Sequence, residues 1–282
     1  MTQNIRPLTL IFLFVFFLAC SSQKSSNSST PLIEAVKSGD LVRVQDLVSD
    51  GTDIDARDDT GQSALHHACF LGYYEIVREL VESGADVNIM VPVRRLTPLH
   101  AATMNGDIDI VTFLVDQGAE VNSADDEGGT PILAACWMGQ LPVVEFLVGK
   151  GADIHARTNY GSCLLHAATN SGNFELVRYL VEKGIDVNAR ADNGAAALHI
   201  AAAIGSKEIV AFLLENNARV DVRLNTDFAF SRVINAPIRS GDDIVEVRVD
   251  SNQTPLDIAR SKGFDELVEM LENHDRASSG PP

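Results

Sequence analysis

Positive charge is scarce in this chain: 22 Lys and Arg stand against 39 Asp and Glu, a formal net charge of −17. That balance argues against nucleic acid as a partner, because phosphates need a basic footprint. It bears on solubility and not on fold. Cysteine is just as sparse, with 4 in 282 residues. Cys20 belongs to a separate segment, and the odd remainder of Cys69, Cys136 and Cys163 offers no closed disulfide framework. Also missing are a Walker glycine loop, a G-x-S-x-G elbow, an H-E-x-x-H pair and a C-x-x-C pair. Nothing in the sequence points to an enzyme, a cofactor or a resident metal.

Long apolar runs are absent too, with one exception. Leu8 to Ala19 (LTLIFLFVFFLA) is unbroken by any polar side chain except Thr9 and follows a start with one Arg and no acid. About a dozen residues are short for a bilayer span and suit the apolar region of a signal peptide. The run ends in Leu18-Ala19-Cys20-Ser21-Ser22, followed by a Ser/Asn/Gln-rich tether to residue 29. A cysteine placed directly after Leu-Ala resembles a bacterial lipoprotein signal, with Phe17 where that family usually has Leu. The resemblance implies a signal peptide over 1–19, acylation of Cys20 and attachment to the membrane by lipid alone. A plain secreted protein and an uncleaved anchor remain the alternatives.

From residue 30 onward the chain is organised by repetition. In Leu96–Gly128, Thr97 is a good N-cap and Pro98 fits the first helical position. The spacing predicts a short helix through Leu99, Ala101 and Ala102 to Gly106. It predicts a second from near Asp107, carrying Ile110, Val111, Leu114 and Val115 to Gly118. Two short helices and an extended finger cannot bury their apolar faces alone. Copies are present on both sides: the Ala of the first helix recurs at Ala35, Ala68, Ala102, Ala135, Ala168, Ala201 and Ala259, with Gly39, Gly72, Gly106, Gly139, Gly172, Gly205 and Gly263 in step.

A 33-residue period carrying T-P-L-H-x-A resembles the ankyrin-repeat family. The resemblance covers residues 30–274 and implies an all-α solenoid of helix-turn-helix repeats with β-hairpin fingers. The first repeat is polar enough to cap the stack, and the last ends in Asp265, Glu266, Glu269 and Glu272. Residues 275–282 read as a disordered tail. The period breaks once, over about 226–250. There Phe228, Phe230, Arg232 and Ile234 alternate, Pro237–Gly241 reads as a turn, and Val245, Val247 and Val249 alternate again. This predicts a β-hairpin grown from the sixth finger, the alternative being an unstructured loop.

Several residue types invite a site and are absorbed by the repeat. His66, His100, His166 and His199 all fall in the T-P-L-H slot, which in the family ties neighbouring repeats together. His67, His155 and His274 have no Cys or carboxylate at ligand spacing. Cys69 and Cys136 share one slot two repeats apart, on the order of 20 Å of stacked helices and beyond disulfide reach. Asp53, Asp55, Asp58 and Asp59 lack the glycine and distal Glu of a calcium loop. Their slots recur as Asp86-x-Asn88 and Asp186-x-Asn188, the turn chemistry of the repeat.

What varies between repeats is the candidate partner-binding set. The resemblance places the residues before the inter-helix glycine, and those in the fingers, on the binding face. Here they are Phe70, Leu71, Met104, Trp137, Met138 and Ile204, an apolar stripe of the kind that marks interaction sites. The fingers add Arg57, Arg94, Arg95, Arg157, Tyr160 and Arg190, a local reversal of sign in an acidic chain. The alternatives are local packing for the first group and ordinary solvated turns for the second. Together they lead to the expectation of a non-enzymatic protein-binding module of the bacterial envelope, on the periplasmic side of the outer membrane or secreted. The alternatives are an accessory to an oxidative-stress enzyme and an effector acting on host proteins.

Overall fold

The computed structural model describes residues 30–226, 228–234 and 243–278. The signal peptide, Cys20, the tether and the Pro237–Gly241 turn lie outside these. The described residues fall into two compact units, 30–135 with 140–154, and 136–139 with 155–278.

The first unit holds α1 (Pro31–Lys37), α2 (Leu41–Ser49), α3 (Ala64–Leu71), α4 (Tyr74–Glu82), α5 (Pro98–Asn105), α6 (Ile108–Asp116) and α8 (Leu141–Gly149). The last two residues of α7 (Pro131–Trp137) belong to the second unit. The α5–α6 pair shows how the repeat is cut from its sequence. Thr97 is extended, its side chain accepts from the His100 N–H, and Pro98 opens the helix. Gly106 ends it at φ 88°, a left-handed turn that glycine enters without a Cβ penalty. Asp107 then caps α6 by accepting from the Asp109 and Ile110 N–H groups. First helices lie beside one another (α1 on α3, α3 on α5), and α1, α3 and α5 are each backed by their own second helix. Packed on so many sides, α5 is buried at every position from Pro98 to Met104, the signature of an enclosed helix. The second helices are one-sided: α6 buries Ile110, Val111 and Leu114 only.

The second unit continues the pattern with α9 (Leu164–Ser171), α10 (Phe174–Glu182), α11 (Ala197–Ile204), α12 (Lys207–Glu215), α13 (Pro255–Lys262) and α14 (Asp265–Ser278). Gly205 turns the chain at φ 74°, and a Cβ there would stand 2.9 Å from the Phe264 ring. Asn217 takes the left-handed position that glycine holds in other repeats, at φ 64°. The fingers are tighter than regular hairpins. They consist of turns, with single bridges at Arg57–Ser63 and Arg157–Cys163.

The insertion is an antiparallel hairpin of β1 (Phe228–Ile234) and β2 (Asp243–Val249). Its register pairs Phe228 with Val249, Phe230 with Val247 and Arg232 with Val245. Leu224 N–H donates to Gln253 O and Asn252 N–H to Leu224 O, which closes the finger where the hairpin leaves it. The hairpin is no loose appendage. Val249 is 4% exposed and joins Ala195, Ile200, Leu224 and Ile258 in one core cluster. The tail expected from residue 275 is also shorter, because α14 runs to Ser278 and Arg276 pairs with Glu272 one turn back at 3.0 Å.

Candidate binding surface

The polar side chains of the repeat face one another along the chain of repeats. In the first unit, the backbone N–H groups of Ser63 and Thr97 donate to Nδ1 of His66 and His100 at 3.2 Å. With Nδ1 accepting, Nε2 carries the proton and donates to the next repeat, to Leu96 O at 3.0 Å and Gly129 O at 3.2 Å. In the second unit His166 and His199 repeat the bond, to Ala195 O and Val222 O. Burial lowers the pKa of His66, His100 and His199 to about 4, so these rings are neutral linkers. Among the described residues no group of three or more His, Cys, Asp or Glu could hold a metal ion.

The finger amides do the same work. Asn88 donates to Gly118 O and accepts from the Glu120 N–H, Asn122 joins Gly151 and Asp153, and Asn188 joins Asn217 and Arg219. The D-x-N turn motif is thus a bridge between repeats as well as a turn.

One partnership was invisible to linear spacing. His67, which the sequence leaves without a carboxylate, lies 2.8 Å from Asp58 of the preceding finger, and the two side chains are almost fully covered. Lys37 Nζ approaches the same carboxylate at 3.5 Å. Burial raises the Asp58 pKa, but the hydrogen bonds from His67 and Thr60 outweigh it and hold the group well below the usual carboxylate range. No sequence signal marks this pair, because the Asp58 turn must fold over α3 before the two meet.

The candidate apolar stripe divides. Met104 and Met138 are 3% and 4% exposed, and Ile204 packs against the Ile200–Leu224–Ile258 cluster. Met104 and Met138 therefore belong to the core and not to a free surface, and Ile204 is half-buried against that cluster. Leu71 is 38% exposed and Phe70 and Trp137 are half-buried, which leaves them as the apolar surface of this set.

The finger arginines also carry structural duties. Arg57 donates to Met90 O, Arg157 to Gly161 O and Arg190 O, and Arg190 to Gly194 O and Arg223 O. Arg94 lies near Glu127, and its carbonyl accepts from Asp126. Arg95 holds a left-handed turn at φ 56°. Carbonyl partners fix a guanidinium without cancelling its charge, and Arg57, Arg157 and Arg190 make no ion pair among the described residues. Tyr160 is 38% exposed, and its carbonyl accepts from the Asp192 N–H.

The comparisons agree with this architecture. The family description "Ankyrin repeats (3 copies)" matches residues 9–91, 92–158 and 154–224. Ankyrin repeat domain-containing protein 29 of Danio rerio is 41% identical over 70 residues, 23% of this chain and 24% of that protein. Protein phosphatase 1 regulatory subunit 27 of Mus musculus is 53% identical over 55 residues, 20% of this chain and 36% of that protein. The 2-5A-dependent ribonuclease of Mus musculus is 42% identical over 69 residues, 24% of this chain and 9% of that protein. The chain thus spans about a third or less of the length of each of these relatives.

Proposed function

The chain belongs to the ankyrin-repeat family, and from that premise we propose that it is a non-enzymatic protein-binding module. One observation carries this reading. The repeat's histidines and finger amides are committed to bonds between repeats, whereas Phe70, Leu71 and Trp137 stand at the surface in the slot that varies from repeat to repeat. Apolar side chains at a surface cost solvation and mark interaction sites. Arg57, Arg157 and Arg190 supply finger cations for acidic groups of the partner.

The module works at a bacterial envelope, tethered by an acylated Cys20 on the periplasmic side of the outer membrane. This placement is supported by the apolar run over residues 8–19 and the polar tether behind it. Among the described residues no helix is long and apolar enough to cross a membrane. One acyl chain gives marginal affinity, so stable anchoring takes more than one. Labelled palmitate fed to bacteria expressing the chain is absent from Cys20→Ser on this reading, and equal labelling removes the tether.

The binding role is tested by affinity capture from envelope extracts with residues 21–282 as bait. Trp137→Ala lowers recovery of the partner about tenfold, the ~2 kcal/mol typical of an aromatic anchor, and leaves thermal unfolding nearly unchanged. Full recovery of the partner with a large stability loss would make Trp137 a core residue and remove the anchor.

A further inference from the structure

Arg157, Arg190 and Arg223 occupy one slot of three consecutive fingers, each 33 residues after the last. The structure joins them head to tail. Arg157 Nη1 donates to Arg190 O at 3.2 Å, Arg190 Nη2 to Arg223 O at 2.9 Å, and Arg223 Nη1 to Asn252 O at 2.7 Å. At the second and third rungs the surface opens into a cavity of about 390 Å³, lined by Arg190, Arg219, Arg223, Asp221 and Asn188, with Val222 among its walls. Its frame is fixed from below, since Val222 O accepts from the buried His199 and Asn188 Oδ1 accepts from the Arg219 N–H.

We propose that this cavity and the rungs on either side of it bind an acidic peptide segment of a protein partner, in extended form, with carboxylates at every third residue. The proposal rests on the protein-binding reading above and names the chemistry of one part of that surface. Three observations support it. The guanidiniums of Arg157 and Arg190 are held by carbonyls, so their positions are set while their charges stay available, whereas Arg223 also stands 3.6 Å from the Asp257 carboxylate and shares its charge with it. Each retains donors, and a fork of donors matches a carboxylate. Arg219 already displays that match, gripping Asp221 through Nε at 3.0 Å and Nη2 at 2.8 Å. Asp221 lies in the cavity as a stand-in for an incoming carboxylate.

The spacing follows from the repeat. Neighbouring helices pack about 8–10 Å apart and an extended chain advances about 3.3 Å per residue, so one rung corresponds to about three residues. A free phosphate would fill one rung and gain nothing from the others. Nucleic acid would bring a long line of negative charge against a chain of net charge −17. A short peptide carries only the charges the rungs can meet.

The test uses the full chain and a fluorescein-labelled Asp-Ser-Gly-Asp-Ser-Gly-Asp peptide, read by anisotropy at low and at physiological salt. The expected result is binding at least about tenfold tighter than the Asn-Ser-Gly-Asn-Ser-Gly-Asn counterpart, weakening with salt. It is also tighter than for a peptide with the same three Asp side by side. Arg190→Gln weakens binding about fivefold or more, the scale of one charge-assisted bond. Because Arg190 also holds two carbonyls, its variant could lose structure. Asp221→Asn removes no donor and frees Arg219, so it strengthens binding about two- to threefold, the scale of an exposed ion pair.

Equal binding of the Asn peptide, or weaker binding by Asp221→Asn, overturns the site. Equal binding of the clustered Asp peptide overturns the ladder. Displacement by inorganic phosphate at stoichiometric levels, or tighter binding of an RNA oligonucleotide, overturns the peptide as occupant. Failure of the peptide with Trp137-dependent capture intact removes this site alone. Loss of Trp137-dependent capture with peptide binding intact removes the apolar anchor and leaves this site standing.

Discussion

Thr130 ends in a buried hydroxyl without a hydrogen-bond partner, and Leu133 is the reason. Three residues after Ser63 and Thr97, an imidazole accepts the hydroxyl at 2.9 Å, and at Thr254 the carboxylate of Asp257 accepts it at 2.8 Å. The first repeat also places a hydrocarbon three residues after its cap, at Ile33, but Thr30 there is only half-buried, whereas Thr130 is 8% exposed.

Leu133→His should therefore stabilise the protein by about 1 kcal/mol, the net worth of a completed buried hydrogen bond. At this chain length that is about 2–4 °C in thermal midpoint. A lower midpoint would mean that the ring does not fit the apolar slot that Leu133 now fills.

The same histidine slot sets a pH limit. His66, His100 and His199 titrate near 4 when folded against 6.5 for a free imidazole, because burial opposes their charge. A depressed folded pKa means that the unfolded chain binds more protons. Stability is full above 6.5 and is lost as pH falls toward 4, by roughly 3 kcal/mol per histidine at the acid end. Asp125 works the other way. Burial raises its pKa to about 6 against the hydrogen bonds from Gly129 and Glu127, so its contribution is present below 3.8 and lost as pH rises through 6. Burial raises Glu127 as well, so two carboxylates work against three histidines and at least one histidine proton remains unopposed. Denaturant midpoints at pH 7.5, 6 and 5 should fall in that order, and a flat series would show that the rings are not buried in solution.

The hairpin makes a third case. Val249 closes a core cluster with Leu224 and Ile258, so Val249→Ala should cost about 2 kcal/mol. Removing the strands while keeping Leu224 joined to Gln253 should cost little beyond that valine. A loss below about 0.5 kcal/mol for Val249→Ala would show that the cluster does not need the insertion.

The elements of the repeat were legible because each is written locally. Thr97, Pro98, Gly106 and Asp107 fix the start and stop of their helices through their own backbone preferences, and the period repeats the message. The surface was less legible. Met104, Met138 and Leu71 all lie within two residues of an inter-helix glycine, yet the first two are buried and the third is exposed. That outcome depends on what the neighbouring repeats place against each helix. The Asp58–His67 pair and the carbonyl grips of Arg157 and Arg190 depend on the same placement. A sequence pattern shows which slots vary and leaves open whether a variable slot faces water.

Cys163 is the last case, and here a local substitution has a chemical consequence. It stands in the cap slot held by Ser63, Thr97 and Thr254, with Sγ 3.0 Å from His166 Nδ1. Burial alone would raise its pKa, but the contact with His166 outweighs burial and brings the thiol down to about 7. Cys69 and Cys136 have burial without a compensating partner and are pushed far up. The thiolate is the reactive form, so Cys163 should be alkylated by iodoacetamide ahead of the other two when the native protein is treated at pH 8 and its peptides are weighed. Cys163→Ser restores the hydroxyl cap and should leave the thermal midpoint within about 2 °C, well under 1 kcal/mol. Labelling of Cys69 or Cys136 first would show that access, and not the imidazole, governs these thiols.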